Sequence, residues 1–143
     1  MKTASARELS LASYRSLAEF RHQIRRFLRY SEDAARAFGI EPQQHQLLLA
    51  IKGLPSGKLP TIRELARRLQ LRHHTTVELI NRTAGRDLVA REPGTEDKRE
   101  VLIRLTDGGD RVLHQLSVEH QTELKKTGPE LRDALDALLT LVK

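Results

Sequence analysis

The sequence predicts a mainly α fold with one β-hairpin near its centre, and three observations carry that expectation. Apolar residues recur at three- and four-residue spacing along most of the chain, which is the spacing of one helix face. Between Leu88 and Leu105 the period shifts, and Val101, Ile103 and Leu105 alternate onto one side of an extended segment. Glycine and proline mark the ends of the apolar runs, at Gly39, Pro42, Pro55, Gly57 and Pro93-Gly94.

The chain has 143 residues, which leaves room for one compact unit and almost none for a second catalytic domain. Apolar residues make up 38% and charged residues 31%, polar for a globular chain yet far from a disordered one. Its 25 Lys and Arg against 19 Asp and Glu leave a net charge of +6, a balance that favours a polyanionic partner. The field is local. Residues 58 to 106 hold eleven basic and seven acidic side chains, residues 7 to 30 hold six and two, and residues 107 to 143 hold five and seven. The chain has no cysteine, which excludes disulfides, thiolate metal sites and thiol catalysis. The stretch from Met1 to Ser10 lacks the apolar core of a signal peptide, and no run approaches the ~18 apolar residues of a membrane span. These features predict a cytoplasmic protein with no membrane partner.

From Leu11 to Phe38, Leu17, Ile24 and Phe38, with Phe20, Phe27 and Ala34 beside them, sit at helical spacing and nothing breaks the run before Gly39. A helix of that length, roughly 40 Å at about 1.5 Å per residue, exceeds what a lone small domain uses, so it points to a partner subunit. Pro42 suits the first turn of a second helix, with Leu47, Leu48, Ala50, Ile51 and Leu54 as its apolar face, closed by Pro55-Ser56-Gly57. Thr61 and Glu64 stand at capping-box spacing before a short helix bearing Ile62, Leu65, Ala66 and Leu69. A few residues later, His73 to Arg86 form another helix, anchored by Leu79 and Ile80. Two short helices joined by a tight turn make a helix-turn-helix, and the strands Leu88–Arg91 and Val101–Leu105 with a polar tip at 93–98 add a wing. Thr106-Asp107 caps a helix whose apolar side carries Val112, Leu113, Leu116, His120 and Leu124. Gly128-Pro129 is expected to interrupt it, before a final stripe of Leu131, Leu135, Leu138, Leu139 and Val142. The predicted architecture is a winged helix-turn-helix with N- and C-terminal helices forming a dimerisation region. Residues 1–41 supply the N-terminal dimerisation helix, 42–106 the winged helix-turn-helix with its wing at 88–105, and 107–143 the C-terminal helices, all within one compact unit. Packing of the terminal stripes on the chain's own core is the competing reading.

The order of these elements, with particular residues in them, resembles the MarR (multiple antibiotic resistance regulator) family of bacterial transcription factors. The stretch from Asp97 to Thr106, D-K-R-E-V-L-I-R-L-T, is similar to the family's wing, D-x-R followed by a strand ending in Leu-Thr. Gly39 to Gln44 with Leu47-Leu48 resembles the entry to its second helix. Thr61 to Ala66 resembles its first helix-turn-helix segment, and Leu88 to Arg91 its first wing strand. The likeness spans roughly residues 11 to 140. It implies an obligate homodimer that binds a pseudo-palindromic double-stranded DNA operator, usually as a repressor, and is released by a small ligand. The chain departs from the family pattern Leu-Glu-x-x-Gly before the wing, with Thr83-Ala84-Gly85-Arg86-Asp87 in its place. Thr83 stands where Leu is usual, which predicts a less tightly anchored recognition helix, and Asp87 stands in for Gly, which Asp allows because it tolerates a left-handed turn.

On a helical wheel His74, Glu78, Asn81 and Arg82 share one side, flanked by Thr75 and Val77 and opposite Leu79 and Ile80. A polar stripe opposite an apolar anchor is what a recognition helix presents to the major groove, where Asn bonds adenine, Arg bonds guanine and Val77 touches a thymine methyl. Arg99 near the wing tip is the candidate for the minor groove, with Asp97 holding its guanidinium. Lys98, Arg91, Arg63 and Arg67 are candidate phosphate contacts, setting register and salt dependence. His22, Arg26 and Arg29, with Tyr30 and His45, form a possible pocket for a small anionic or phenolic ligand. The same Arg side chains would equally pair with the acidic C-terminal segment of a partner subunit. No His pair has the spacing of a helical metal site, and no hydrolase, phosphate-binding or dinucleotide motif occurs, so the sequence calls for no catalytic residue, metal or cofactor. A winged-helix module for protein contacts without specific DNA binding, or a metal-responsive regulator, are the alternatives.

Overall fold

The computed structural model describes residues 8–142, so Met1 to Arg7 of the N-terminal stretch and Lys143 lie outside it. Seven elements follow one another. They are α1 (Leu11–Ala37), α2 (Pro42–Lys52), α3 (Ile62–Leu69), α4 (His73–Gly85), β1 (Val89–Pro93), β2 (Val101–Leu105) and α5 (Asp107–Leu141). The mainly α architecture with a single wing is the one the sequence predicts. The chain divides into two compact units, one built from α1 up to Ser31 together with α5 from His120, the other from residues 32–119. None of the described helices is long and apolar enough to cross a membrane.

The unit formed by residues 32–119 has a dense aliphatic core. Leu47 and Leu48 of α2, Leu65 of α3, Leu79 and Ile80 of α4, Ile103 of β2 and Leu116 of α5 are all fully buried. Each such side chain contributes about 1.5 to 3 kcal/mol of burial free energy, so the helix-turn-helix is held by its apolar faces more than by helix propensity. Local signals set the ends. Gly39 takes φ 78° after α1, Pro42 occupies the first turn of α2, and Gln44 reaches back to accept from the Glu41 N–H at 2.9 Å. Thr61 caps α3 by accepting from the Glu64 N–H at 3.1 Å. The reciprocal half of that predicted capping box does not form. Thr61 N–H already donates to the Leu59 carbonyl at 2.8 Å, and the Glu64 carboxylate turns instead to Arg67.

The wing departs from its predicted pattern in two ways. β1 runs to Pro93, which pairs with Val101 as the last rung of the antiparallel register that begins at Val89 and Leu105, so Pro93 belongs to the strand rather than the tip. In β2 the buried pair is Leu102 and Ile103, while Val101 is 40% exposed and Leu105 half-buried. The reason is that β2 is covered beyond its partner strand: Thr61 bridges Leu102, Ile103 N–H donates to the Pro60 carbonyl at 2.9 Å, and both α2 and α3 pack on the strand. Simple alternation presumes one open face, and the centre of β2 has none.

A second correction concerns Gly128-Pro129. α5 is continuous through both residues, with Pro129 inside the helix. Proline removes one helical donor and crowds the carbonyl four residues back, at a cost of about 3 kcal/mol in a helix interior. Here that carbonyl belongs to Lys125, an exposed residue, and Thr127 adds a local bond to the Glu123 carbonyl at 3.1 Å. In the unit formed by residues 8–31 and 120–142, His120 bonds the buried Ser31 at 2.9 Å and meets the edges of Phe27 and Tyr30. Arg26 donates to Glu130 at 2.6 Å. The outer stripes stay open: Leu11 is 61%, Tyr14 57%, Leu139 59% and Val142 63% exposed.

Gly109 supplies the sharpest steric test of this fold. A Cβ at that position would run into the Leu88 carbonyl oxygen, whereas one on neighbouring Gly108 would meet nothing nearer than 3.6 Å. Gly109→Ala should therefore destabilise the protein by about 1 to 3 kcal/mol through overpacking. Gly108→Ala should be neutral or stabilising by up to ~1 kcal/mol from helix propensity. Thermal melts of the two variants check the contrast, and equal stabilities would refute the close approach.

Candidate nucleic-acid interface

α4 is the element whose two faces differ most in consequence. Thr76, Leu79, Ile80 and Thr83 are buried, at the three- and four-residue spacing that places them on one side. His73, His74, Glu78, Asn81 and Arg82 are exposed on the other, with Thr75 and Val77 half-buried at the margin. The two buried threonines satisfy themselves within the helix, Thr76 donating to the Arg72 carbonyl at 2.9 Å and Thr83 to the Leu79 carbonyl at 2.7 Å. Thr83 thus fills its place in the core without an orphaned hydroxyl. Asp87, two residues before Val89 at the start of β1, adopts φ 58°, the left-handed conformation expected at that position. Its carbonyl accepts from Thr106 at 2.5 Å.

The candidate site residues are brought onto this unit in a pattern that spacing alone does not disclose. Asn81 accepts from Arg91 of β1 at 2.7 Å, so a candidate base reader and a candidate phosphate contact are bonded to each other. Arg82 donates through Nε and Nη2 to the two carboxylate oxygens of Glu41, both at 3.3 Å. Arg86 donates to the Gly39 carbonyl at 2.7 Å. Glu41 carries no signal in the sequence, because it stands forty-one residues before its partner. On the wing, Asp97 accepts from the Arg99 backbone N–H at 3.0 Å and from its Nε at 3.2 Å, the arrangement expected for a carboxylate that orients a guanidinium. Arg99 is still 93% exposed at its side chain. Glu92 and Arg104 pair across the two strands. Gly94 N–H donates to the Glu100 carbonyl at 2.8 Å and closes the tip.

On α3, Arg63 is exposed, and Arg67 is held by Glu64 through two bonds of 3.1 and 2.7 Å. The hydrogen bond from Arg67 holds the Glu64 carboxyl below its ordinary pKa, and the same bond raises that of the Arg67 guanidinium. The charge of Arg67 is thereby largely cancelled where it stands. In the other unit, His22 is exposed, while Gln23, Arg26, Phe27 and Tyr30 line a small cleft with Leu124, Thr127 and Leu131. Arg26 is engaged there by the C-terminal acid Glu130 of its own chain, and His45 lies in the unit of residues 32–119, buried in α2. Among the described residues no cluster of three or more His, Asp or Glu could hold a metal ion.

The sequence model described as "MarR family" matches residues 38–100. No curated protein matches the chain. Among solved structures, AbsC, a MarR family transcriptional regulator from Streptomyces coelicolor, is similar with a TM-score of 0.75 at 18% identity, covering 96% of this chain and 94% of that one. A mutant of MarR from E. coli complexed with operator DNA has a TM-score of 0.63 at 22% identity, covering 93% and 95%. A mutant of MepR from S. aureus bound to an oligodeoxyribonucleotide has a TM-score of 0.63 at 19% identity, covering 95% and 100%.

The Glu64–Arg67 bond has a pH signature. A carboxyl whose pKa is depressed in the folded state adds stability above its unfolded value, and that stability is lost as pH falls through the folded value. Arg67→Ala should return the Glu64 titration, followed by NMR, to the ordinary Glu range. A Glu64 titration unmoved by the substitution would show that the bond is not populated.

Proposed function

We propose that this chain, whose residues 38–100 match the MarR family model, is a sequence-specific DNA-binding transcriptional regulator. In this reading it is a homodimeric repressor acting on a pseudo-palindromic operator and released by a small anionic or phenolic ligand. The observation that carries the DNA-binding part is the two-faced α4, anchored by Leu79 and Ile80 and presenting His74 and Glu78 outward beside a wing tipped by Arg99. The first turns of such a helix reach base edges in the major groove, and an exposed Arg on a hairpin suits the narrow, negative minor groove of A·T-rich DNA. That solved relatives of the same fold are complexed with operator DNA or an oligodeoxyribonucleotide supports the reading.

His74, Thr75, Val77 and Glu78 are assigned to the base edges, Asn81 and Arg82 to the far end of the same helix, and Asp97, Lys98 and Arg99 to the wing. Arg63, Arg67 and Arg91 are assigned to the phosphates. The homodimer rests on the apolar side chains at Leu11, Leu17, Leu135, Leu139 and Val142, which the chain itself leaves exposed. A small anion that releases DNA enters this proposal at Arg26, where an incoming carboxylate would replace Glu130.

Selection of bound duplexes from random DNA tests the function, and a two-fold symmetric consensus is the expected result. Recovery of no enriched sequence would instead favour the protein-interaction module. On the selected duplex, Arg99→Ala should weaken binding and lower the salt slope by about one contact, with Asp97→Ala doing less because it only orients Arg99. Equal affinities for parent and Arg99→Ala across a salt series would remove Arg99 from the interface. For the dimer, Leu139→Asp is the informative change, because at 59% exposure the side chain contributes little to the packing of the isolated chain. Light scattering should show the parent as a dimer and the variant as a folded monomer, and a variant that stays dimeric would place the interface elsewhere.

A further inference from the structure

The last turn of α4 is neutralised from outside the helix. Arg82 follows His74 by eight residues and shares its exposed side, yet both arms of its guanidinium fork are engaged by the Glu41 carboxylate. Glu41 is fixed from behind, since its backbone N–H donates to Gln44 at the start of α2. Two residues earlier, the Gly39 carbonyl takes Arg86. The turn at 39–41 thus gathers both cations from the C-terminal end of α4. Arg82 and Glu41 remain 44% and 49% exposed, so this is a surface ion pair that adds little to folding stability. Its larger effect is on charge. Carboxylate and phosphate bind the same guanidinium fork in the same two-point manner, so one displaces the other.

Resting on the DNA-binding reading above, we propose that Glu41 limits sequence-independent affinity for DNA by occupying the Arg82 fork that a phosphate would otherwise take. While the pair holds, the last turn of α4 releases no counterion on binding, and discrimination between sequences rests with the first two turns, from His74 to Glu78. Freeing Arg82 adds at most one phosphate contact, which steepens the dependence of log affinity on log salt by about 0.9. The gain falls equally on every sequence, because a phosphate contact carries no base information.

The experiment is a set of binding isotherms between 50 and 200 mM salt on the selected operator and on a random duplex, for the parent, Glu41→Gln, Arg82→Ala and the double variant. Glu41→Gln should bind both duplexes tighter by the same factor, roughly three- to tenfold at the lowest salt, with a slope steeper by about 0.9. Arg82→Ala uncovers the Glu41 carboxylate and should bind both duplexes more weakly by one common factor, whereas the double variant, which lacks both charges, should return to about the parent affinity. Thermal melts establish that the variants fold, and Glu41→Ala repeats the release should glutamine disturb the cap. A Glu41→Gln or Glu41→Ala protein with unchanged affinity overturns the proposal. A double variant that binds both duplexes tighter than the parent also overturns it, since the acid would then act through general charge. An Arg82→Ala loss confined to the operator would make Arg82 a base reader and overturn it too. A parent that binds neither duplex defeats the DNA-binding reading itself, and this inference with it.

Discussion

The burial of one face of α4 is the constraint on which the rest of the DNA-reading unit depends. Leu79 and Ile80 are fully buried where α4 packs against α2 and α3, and the helical period then dictates which residues must face water. Nothing needs to hold His74 or Glu78 outward, because the core leaves them no other direction. The same core fixes the wing. Ile103 is at once a core residue and the rung that ties β2 to Pro60, so the hairpin cannot tilt without disturbing the packing beneath α4. A helix and a hairpin that must meet one ligand together are therefore referenced to a single aliphatic cluster.

Much of this was legible in the sequence because the signals were local. Gly39, Pro42, Thr61 and Thr106 mark element ends through their own backbone and side-chain chemistry, and the left-handed turn at Asp87 follows from its residue type and place before a strand. Where the reading failed, a non-local partner decided the outcome. Leu102 is buried because residues 60 and 61 arrive on the far edge of β2, and no alternation within 101–105 contains that information. Glu64 abandons the capping box because Arg67, one turn on, offers a charged donor while Leu59 already accepts from the Thr61 amide. Pro129 stays helical at a place where it and Lys125, the residue four back, are both exposed, a matter of exposure that the residue type does not encode.

The candidate site illustrates the same division. The wheel identifies Asn81 and Arg82 as outward-facing, and they are, yet facing outward is not the same as being available. Arg91 reaches Asn81 across ten residues and Glu41 reaches Arg82 across forty-one, distances at which sequence spacing holds no geometric meaning. Periodicity reports the side of a helix, whereas partners are chosen by tertiary packing.

Pairing also decides where the positive field of this unit is strongest. Glu64 stands against Arg67, Glu92 against Arg104 and Glu41 against Arg82, while Asp97 orients Arg99 and leaves its side chain 93% exposed. Among the described residues, Arg63, Arg68, Arg72 and Lys98 have no acid within ion-pair distance, and Arg86 and Arg91 bond only to neutral oxygens, of Gly39 and Asn81. Arg63, Arg68 and Arg72 lie on α3 or at the entry to α4, beside the turns that carry His74 and Glu78. Screening in salt reduces the reach of a surface charge to about 8–10 Å, so a polyanion senses these local sums rather than the net charge of the chain. The acids therefore act as a filter on the field: Glu41 quiets Arg82 on the exposed side of α4, while Arg63, Arg68 and Arg72 keep their full charge on α3 and at the entry to α4.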